Sequence, residues 1–184
     1  VVAWTSPGDG ASYGVFAQRY DANGVAKGGE FRVNSKYAST QWQPALSTLP
    51  DGGFVAVWSS HYNNNYYNIC GQRFDAAGNK VGSEFQANTD SASNQTFPAV
   101  TTLADGGFVV AWQGPTSVSA QRYGANGATI GDQWVIGTGT ANTVALAGLA
   151  GGGFVAIWQS GDGSDTGVFA QLYDIAGDKV GTSF

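Results

Sequence analysis

Methionine is absent, cysteine and histidine occur once each, and only 11% of the 184 residues are charged. Each scarcity removes a class of explanation. Cys70 has no partner for an internal disulfide and cannot supply the paired thiols of a zinc site. Cys70 also stands where the sister copies described below have Phe16, Ser119 and Phe169, so it reads as a packing residue rather than a reactive thiol. His61 is the one side chain with an ordinary titration near neutrality, and no serine or cysteine nucleophile motif surrounds it. Eight Lys and Arg against 13 Asp and Glu leave a net charge of -5, and the basic residues do not cluster, so nucleic acid is not an expected partner. No apolar run is long enough to span a bilayer, and no membrane insertion is expected. No 3.6-residue hydrophobic period occurs, which argues against helices.

What the chain does have is glycine, 28 residues of it, a 13% share of aromatics, and one phrase that returns. Leu49-Pro50-Asp51-Gly52-Gly53-Phe54-Val55-Ala56-Val57-Trp58 comes back as Leu103 to Trp112 and, more weakly, as Leu149 to Trp158. The first residues, Val1-Val2-Ala3-Trp4, match the tail of a further copy, so the sequence opens in mid-repeat. A second phrase keeps step with it: Val15-Phe16-Ala17-Gln18-Arg19-Tyr20, then Ile69 to Phe74, Val118 to Tyr123 and Val168 to Tyr173. Each is followed by a turn carrying Gly24, Gly78, Gly127 or Gly177 where a hairpin requires positive φ.

Between these tight turns each unit reads as four short antiparallel strands. The strand before the Gly-Gly turn is expected to start at Pro44 and Pro98. A repeat of this length built from four strands predicts an all-β protein, a β-propeller of about four blades with the first incomplete. The expected blade boundaries within the single repeat domain 1–184 are 1–43, 44–97, 98–141 and 142–184. Trp4, Trp58, Trp112 and Trp158 are expected to fill the space between blades, and the small residues Ala17, Gly71, Ala120 and Ala170 to mark close approach of a neighbouring sheet. Arg19 with Glu30, Arg73 with Glu84 and Arg122 with Gln133 recur at one spacing, which suggests a cross-strand pair inside each blade.

The connections between second and third strands differ among copies, and variable loops on a rigid scaffold are where binding is usually placed. The second is the odd one. His61, Tyr62, Asn63, Asn64, Asn65, Tyr66 and Tyr67 combine aromatic faces with amides, a mixture that stacks on sugar rings and bonds their hydroxyls, and these seven are the candidate ligand-binding residues. No cofactor is required by any motif. Calcium is the one metal to consider, at Asp162 and Asp165 with Asp9 in a similar place, but two carboxylates fall short of the six to eight oxygens calcium takes, so no metal ligand is assigned. No nucleophile elbow, P-loop or zinc motif is present, and the expectation is of a protein that is not an enzyme.

The phrases Asp105 to Trp112, Phe16 to Gly24 and Gly29 to Asn34 together resemble tandem repeats of very large secreted bacterial proteins of RTX-type or adhesin-like character, many of them calcium-binding. The resemblance covers nearly the whole chain, with Gly151, Leu172 and Gln133-Trp134 as departures. It implies an extracellular or cell-surface setting and a lectin-like or adhesive binding module, with a glycan or cell-surface protein as partner. The alternative is a structural, self-associating subunit of a surface layer or filament with no small ligand.

Overall fold

The computed structural model describes the whole chain except residues 8–11, 38, 62–64, 140–142 and 162–164. The described residues form four antiparallel sheets in chain order and no helix. Sheet 1 has three strands, β1 (Val2–Pro7), β2 (Tyr13–Tyr20) and β3 (Ala26–Arg32). Sheet 2 has four: β4 (Gln41–Thr48), β5 (Phe54–Ser60), β6 (Asn68–Phe74) and β7 (Lys80–Gln86). Sheet 3 repeats them as β8 (Thr96–Thr102), β9 (Phe108–Gln113), β10 (Ser117–Tyr123) and β11 (Thr129–Thr138). Sheet 4 does so as β12 (Val144–Gly148), β13 (Phe154–Gly161), β14 (Thr166–Tyr173) and β15 (Lys179–Val180).

The recurring phrases are the turns and bulges of this scaffold. In the β4–β5 turn, Leu49 N donates to Gly53 O at 2.9 Å, and Asp51 Oδ1 accepts from Gly53 N at 2.8 Å. Gly52 has φ 82°, a conformation open to glycine, and a Cβ on Gly53 would stand 2.3 Å from the carbonyl oxygen of Phe74. The β8–β9 turn repeats the bond, Gly107 N to Asp105 Oδ1, at 2.9 Å. The glutamine of the second phrase seals a bulge. Between Ala17 and Arg19 the β2–β3 register shifts, and Gln18 Nε2 donates to Arg19 O and Gly28 O; Gln72, Gln121 and Gln171 do the same in the other sheets.

That bulge corrects the expected Arg–Glu pair. Two extra residues on β3 put Lys27 opposite Arg19 and leave Glu30 inside the bulge, and the same shift on β7 puts Val81 opposite Arg73. The side chains at these positions tie neighbouring sheets instead: Arg19 Nη1 donates to Ala76 O in the β6–β7 turn at 2.6 Å, and Glu84 Oε2 accepts from Ser35 N at 2.7 Å. Gln133 Oε1 accepts from Thr89 N at 3.0 Å in the same way. Arg122 pairs within its own sheet with Asp105, at 2.6 Å.

Three apolar clusters join sheet 1 to 2, 2 to 3 and 3 to 4. Trp58, Trp112 and Trp158 are buried one in each, while Trp4 is half-buried. A stacked aromatic pair recurs in each interface: Phe54 on Phe74 at 4.7 Å, Phe108 on Tyr123 at 4.8 Å, Phe154 on Tyr173 at 4.8 Å. Of the small residues expected to mark close approach of a neighbouring sheet, Ala17 and Ala120 lie in the inter-sheet clusters, whereas Gly71 makes room for an aromatic of its own sheet. A Cβ on Gly71 would meet the ring of Phe85, its cross-strand partner, at 2.4 Å.

Candidate functional site

Strand β4 begins three residues ahead of Pro44. Gln41 pairs with Ser60 and Trp42 with Ser59, after which Gln43 and Pro44 together face Trp58 before Ala45 resumes the ladder opposite Val57. Proline has no N–H to give the neighbouring strand, so the ladder skips and the chain bulges, with Gln43 at φ 56°. Phe97, ahead of Pro98 in sheet 3, takes the same course at φ 52°. Gln43 Oε1 ties the two bulges, accepting from Ser59 Oγ at 2.9 Å and from Phe97 N at 3.1 Å.

The bulge carries Trp42 to the wall of a cleft of about 500 Å³ between sheets 1 and 2, lined by Thr5, Tyr13, Thr40, Trp42, Gln43 and Tyr67. The Trp42 and Tyr67 rings lie 5.3 Å apart at 31°, and the His61 ring lies 4.9 Å from that of Tyr67. His61 is fixed twice. Its backbone N donates to Thr40 O at 3.0 Å, and its Nδ1 lies 3.0 Å from Ser39 Oγ. Tyr67 is held by its backbone, its N donating to Asn94 Oδ1 at 3.0 Å and its O accepting from Gln95 N at 2.8 Å. Hydroxyls stand on the rim: Ser12 Oγ and Thr40 Oγ1 are 3.3 Å apart.

Of the seven candidate binding residues, Tyr67 lines this cleft and His61 contacts Tyr67 without lining it. Asn65 and Tyr66 are exposed and do not line it, and Tyr62, Asn63 and Asn64 lie outside the described residues. Trp42 and Tyr13 were not anticipated. Trp42 carried a signal: five of the six tryptophans occupy positions that are aromatic in the sister copies, whereas Trp42 aligns with Thr96 and Asn142. Of the acids considered for calcium, Asp9 and Asp162 lie outside the described residues, and Asp165 Oδ1 accepts from Thr166 N at 2.8 Å. Among the described residues no group of three or more His, Cys, Asp or Glu is placed to hold a metal.

No family model and no curated relative matches the sequence. Solved structures do match. One is a candidate glycoside hydrolase from Parabacteroides distasonis, 10% identical, with TM-score 0.53 over 99% of this chain and 71% of the other. Another belongs to work on the GH130 family of mannoside phosphorylases and its glycoside hydrolases that target β-1,2-mannosidic linkages in Candida mannan; it is 11% identical, with TM-score 0.49 over 98% of this chain and 68% of the other. Identities this low speak for a shared fold. The second of these likenesses carries no argument, and the first overturns the expectation of a lectin-like or adhesive module, or a surface subunit, without catalysis: the strand arrangement that pointed to a passive scaffold is one that a protein described as a candidate glycoside hydrolase shares.

Proposed function

We propose that this chain is a β-propeller unit that acts on glycosides, its sheets serving as blades around a common axis and its sugar seated in the cleft between sheets 1 and 2. The observation that carries the reading is the Trp42–Tyr67 pair, set 5.3 Å apart in a cleft that also holds Tyr13, Thr5, Thr40 and Gln43. A pyranose ring has an apolar C–H face and a rim of hydroxyls. Flat aromatic faces flanked by hydroxyl and amide groups match both at once. The fold shared with the Parabacteroides distasonis protein supports hydrolysis as the reaction class.

Glycoside hydrolysis usually employs two carboxyl groups across the scissile bond, one protonating the leaving oxygen and one acting as base or nucleophile. The described lining residues include no carboxylate. In sequence, the acid nearest a lining residue is Asp9, four residues before Tyr13, and it belongs to the stretch outside the described residues. The test is a panel of oligosaccharides and aryl glycosides scored by release of reducing sugar. Hydrolysis is expected, with kcat/KM lowered about tenfold or more by Trp42→Ala or Tyr67→Ala, equivalent to roughly 1.4 kcal/mol of transition-state binding. A folded protein inert across the panel overturns the reading.

A further inference from the structure

Phe97 is unfavourably placed in two ways at once. Its backbone lies at φ 52°, where bulky residues seldom go, and its side chain is 41% exposed. Among the described residues it joins none of the three apolar clusters and pairs with no other ring. The bulge itself does not need an aromatic. Thr96 pairs with Gln113 and Ala99 with Ala111, so Phe97 and Pro98 together face Trp112, and it is the proline that lacks the N–H. At the matching place sheet 2 has Gln43, and Thr143 stands there ahead of β12, both polar. An exposed ring on strained backbone, where the other copies hold a polar side chain, contributes little to the fold and is free to meet a ligand.

The position of this ring is the second observation. Strand β8 is flanked on both sides, by β4 and β12, so the exposure of Phe97 belongs to the middle of the stack and not to either end of it. Gln43, the residue after Trp42, accepts the Phe97 N–H at 3.1 Å. One amide therefore ties the backbone that carries Phe97 to the backbone that carries Trp42, and fixes the strained residue beside the Trp42–Tyr67 pair.

We propose that Phe97 is a second sugar-stacking position, and that the ligand is a linear glycan chain with one unit on the Trp42–Tyr67 pair and a later unit on Phe97. The inference rests on the glycoside reading and narrows its substrate class to an unbranched oligo- or polysaccharide rather than a single sugar. Each pyranose of such a chain presents an apolar C–H face. A ring on sheet 3 adds contact only for a ligand long enough to leave the cleft between sheets 1 and 2.

The experiment is calorimetric titration of the folded 184-residue protein with linear gluco-, manno- and xylo-oligosaccharides, each as a series from the disaccharide to the hexasaccharide. In one series or more, affinity should rise with chain length by about tenfold, the scale of one aromatic contact. Phe97→Ala should remove that rise and leave the disaccharide affinity unchanged, whereas Phe97→Tyr should keep it. Trp42→Ala should weaken short and long members alike. Circular dichroism and melting temperature should match wild type in both Phe97 variants, because this ring packs in no cluster. If disaccharides bind and length adds nothing, if Phe97→Ala weakens every member equally, or if Phe97→Ala lowers the melting temperature, the extended-chain inference is overturned while the glycoside reading stands. A protein that neither binds nor hydrolyses any member of any series overturns both.

Discussion

Trp58 donates its indole Nε1–H to Gln41 Oε1 at 3.0 Å, and Trp112 makes the same bond to Gln95 at the same distance, but the two glutamines differ at their other end. Gln95 Nε2 donates to Ser93 Oγ at 3.0 Å. Ser39 stands at the matching place in sheet 2, yet its hydroxyl is engaged with His61, and the buried Gln41 Nε2 has no partner among the described residues. An unmet buried donor costs about 1–3 kcal/mol. Gln95→Leu strands the Trp112 indole and should therefore lower unfolding stability by about that amount. Gln41→Leu strands Trp58 but also removes a donor that was already unmet, so its loss should be smaller. Urea unfolding of the two variants side by side decides it; equal losses would refute the accounting.

Burial, aided by the charge of Glu84, pushes the Cys70 thiol from 9.0 up to about 12. Thiolate is the reactive form, so at pH 8 the folded protein should be alkylated by iodoacetamide about a thousandfold more slowly than the urea-unfolded chain. The sign for stability follows. The folded state keeps its proton while the unfolded thiol loses it, so this contribution is whole below pH 9 and is lost as pH climbs from 9 towards 12. Labelling at equal rates in both states would show the thiol to be accessible.

Two glycine-to-alanine changes should separate crowding from backbone strain. At Gly53 a Cβ meets the carbonyl oxygen of Phe74 at 2.3 Å, and backbone cannot step aside, so Gly53→Ala should destabilise by about 1–3 kcal/mol or more. At Gly28 a Cβ would meet only Arg19 Nη2, at 3.9 Å, an ordinary contact, but φ is 72°, so Gly28→Ala should cost only about 1 kcal/mol. Thermal unfolding of both checks the order, which should not invert.

The strands, their turns and the buried indoles were legible because each is written locally: Asp51-Gly52-Gly53 closes its own hairpin, and Trp58 alternates with its neighbours in one strand. What sequence spacing could not convey is register. The β2–β3 register sets Lys27 opposite Arg19 with Glu30 inside the bulge that Gln18 seals, and an offset shared by three copies looked like a pair, whereas Arg19 and Glu84 each tie one sheet to its neighbour. The cleft was half legible for the same reason. His61 and Tyr67 belong to one conspicuous loop, whereas Trp42 joins them only because Gln43 and Pro44 bulge a strand 24 residues upstream of Tyr67 in the sequence.

That bulge gives the last prediction. Gln43 Oε1 is the acceptor for two donors, Ser59 Oγ beside it and Phe97 N in the next sheet, and it braces the backbone next to Trp42. Gln43→Ala removes the acceptor but leaves Trp42, Tyr67 and Tyr13 in the sequence, so every aromatic surface is still present. Phe97 is exposed and its N–H can take water, but Ser59 is buried and its hydroxyl loses its acceptor, so the stability loss should be about 1–2 kcal/mol. The cleft should feel the change as well, because a ring held at 5.3 Å and 31° to its partner depends on the strand that carries it. Binding of an oligosaccharide, followed by tryptophan fluorescence, should weaken several-fold in Gln43→Ala while the melting temperature moves by a few degrees. Unchanged affinity in a correctly folded variant would mean that the bulge does not position Trp42.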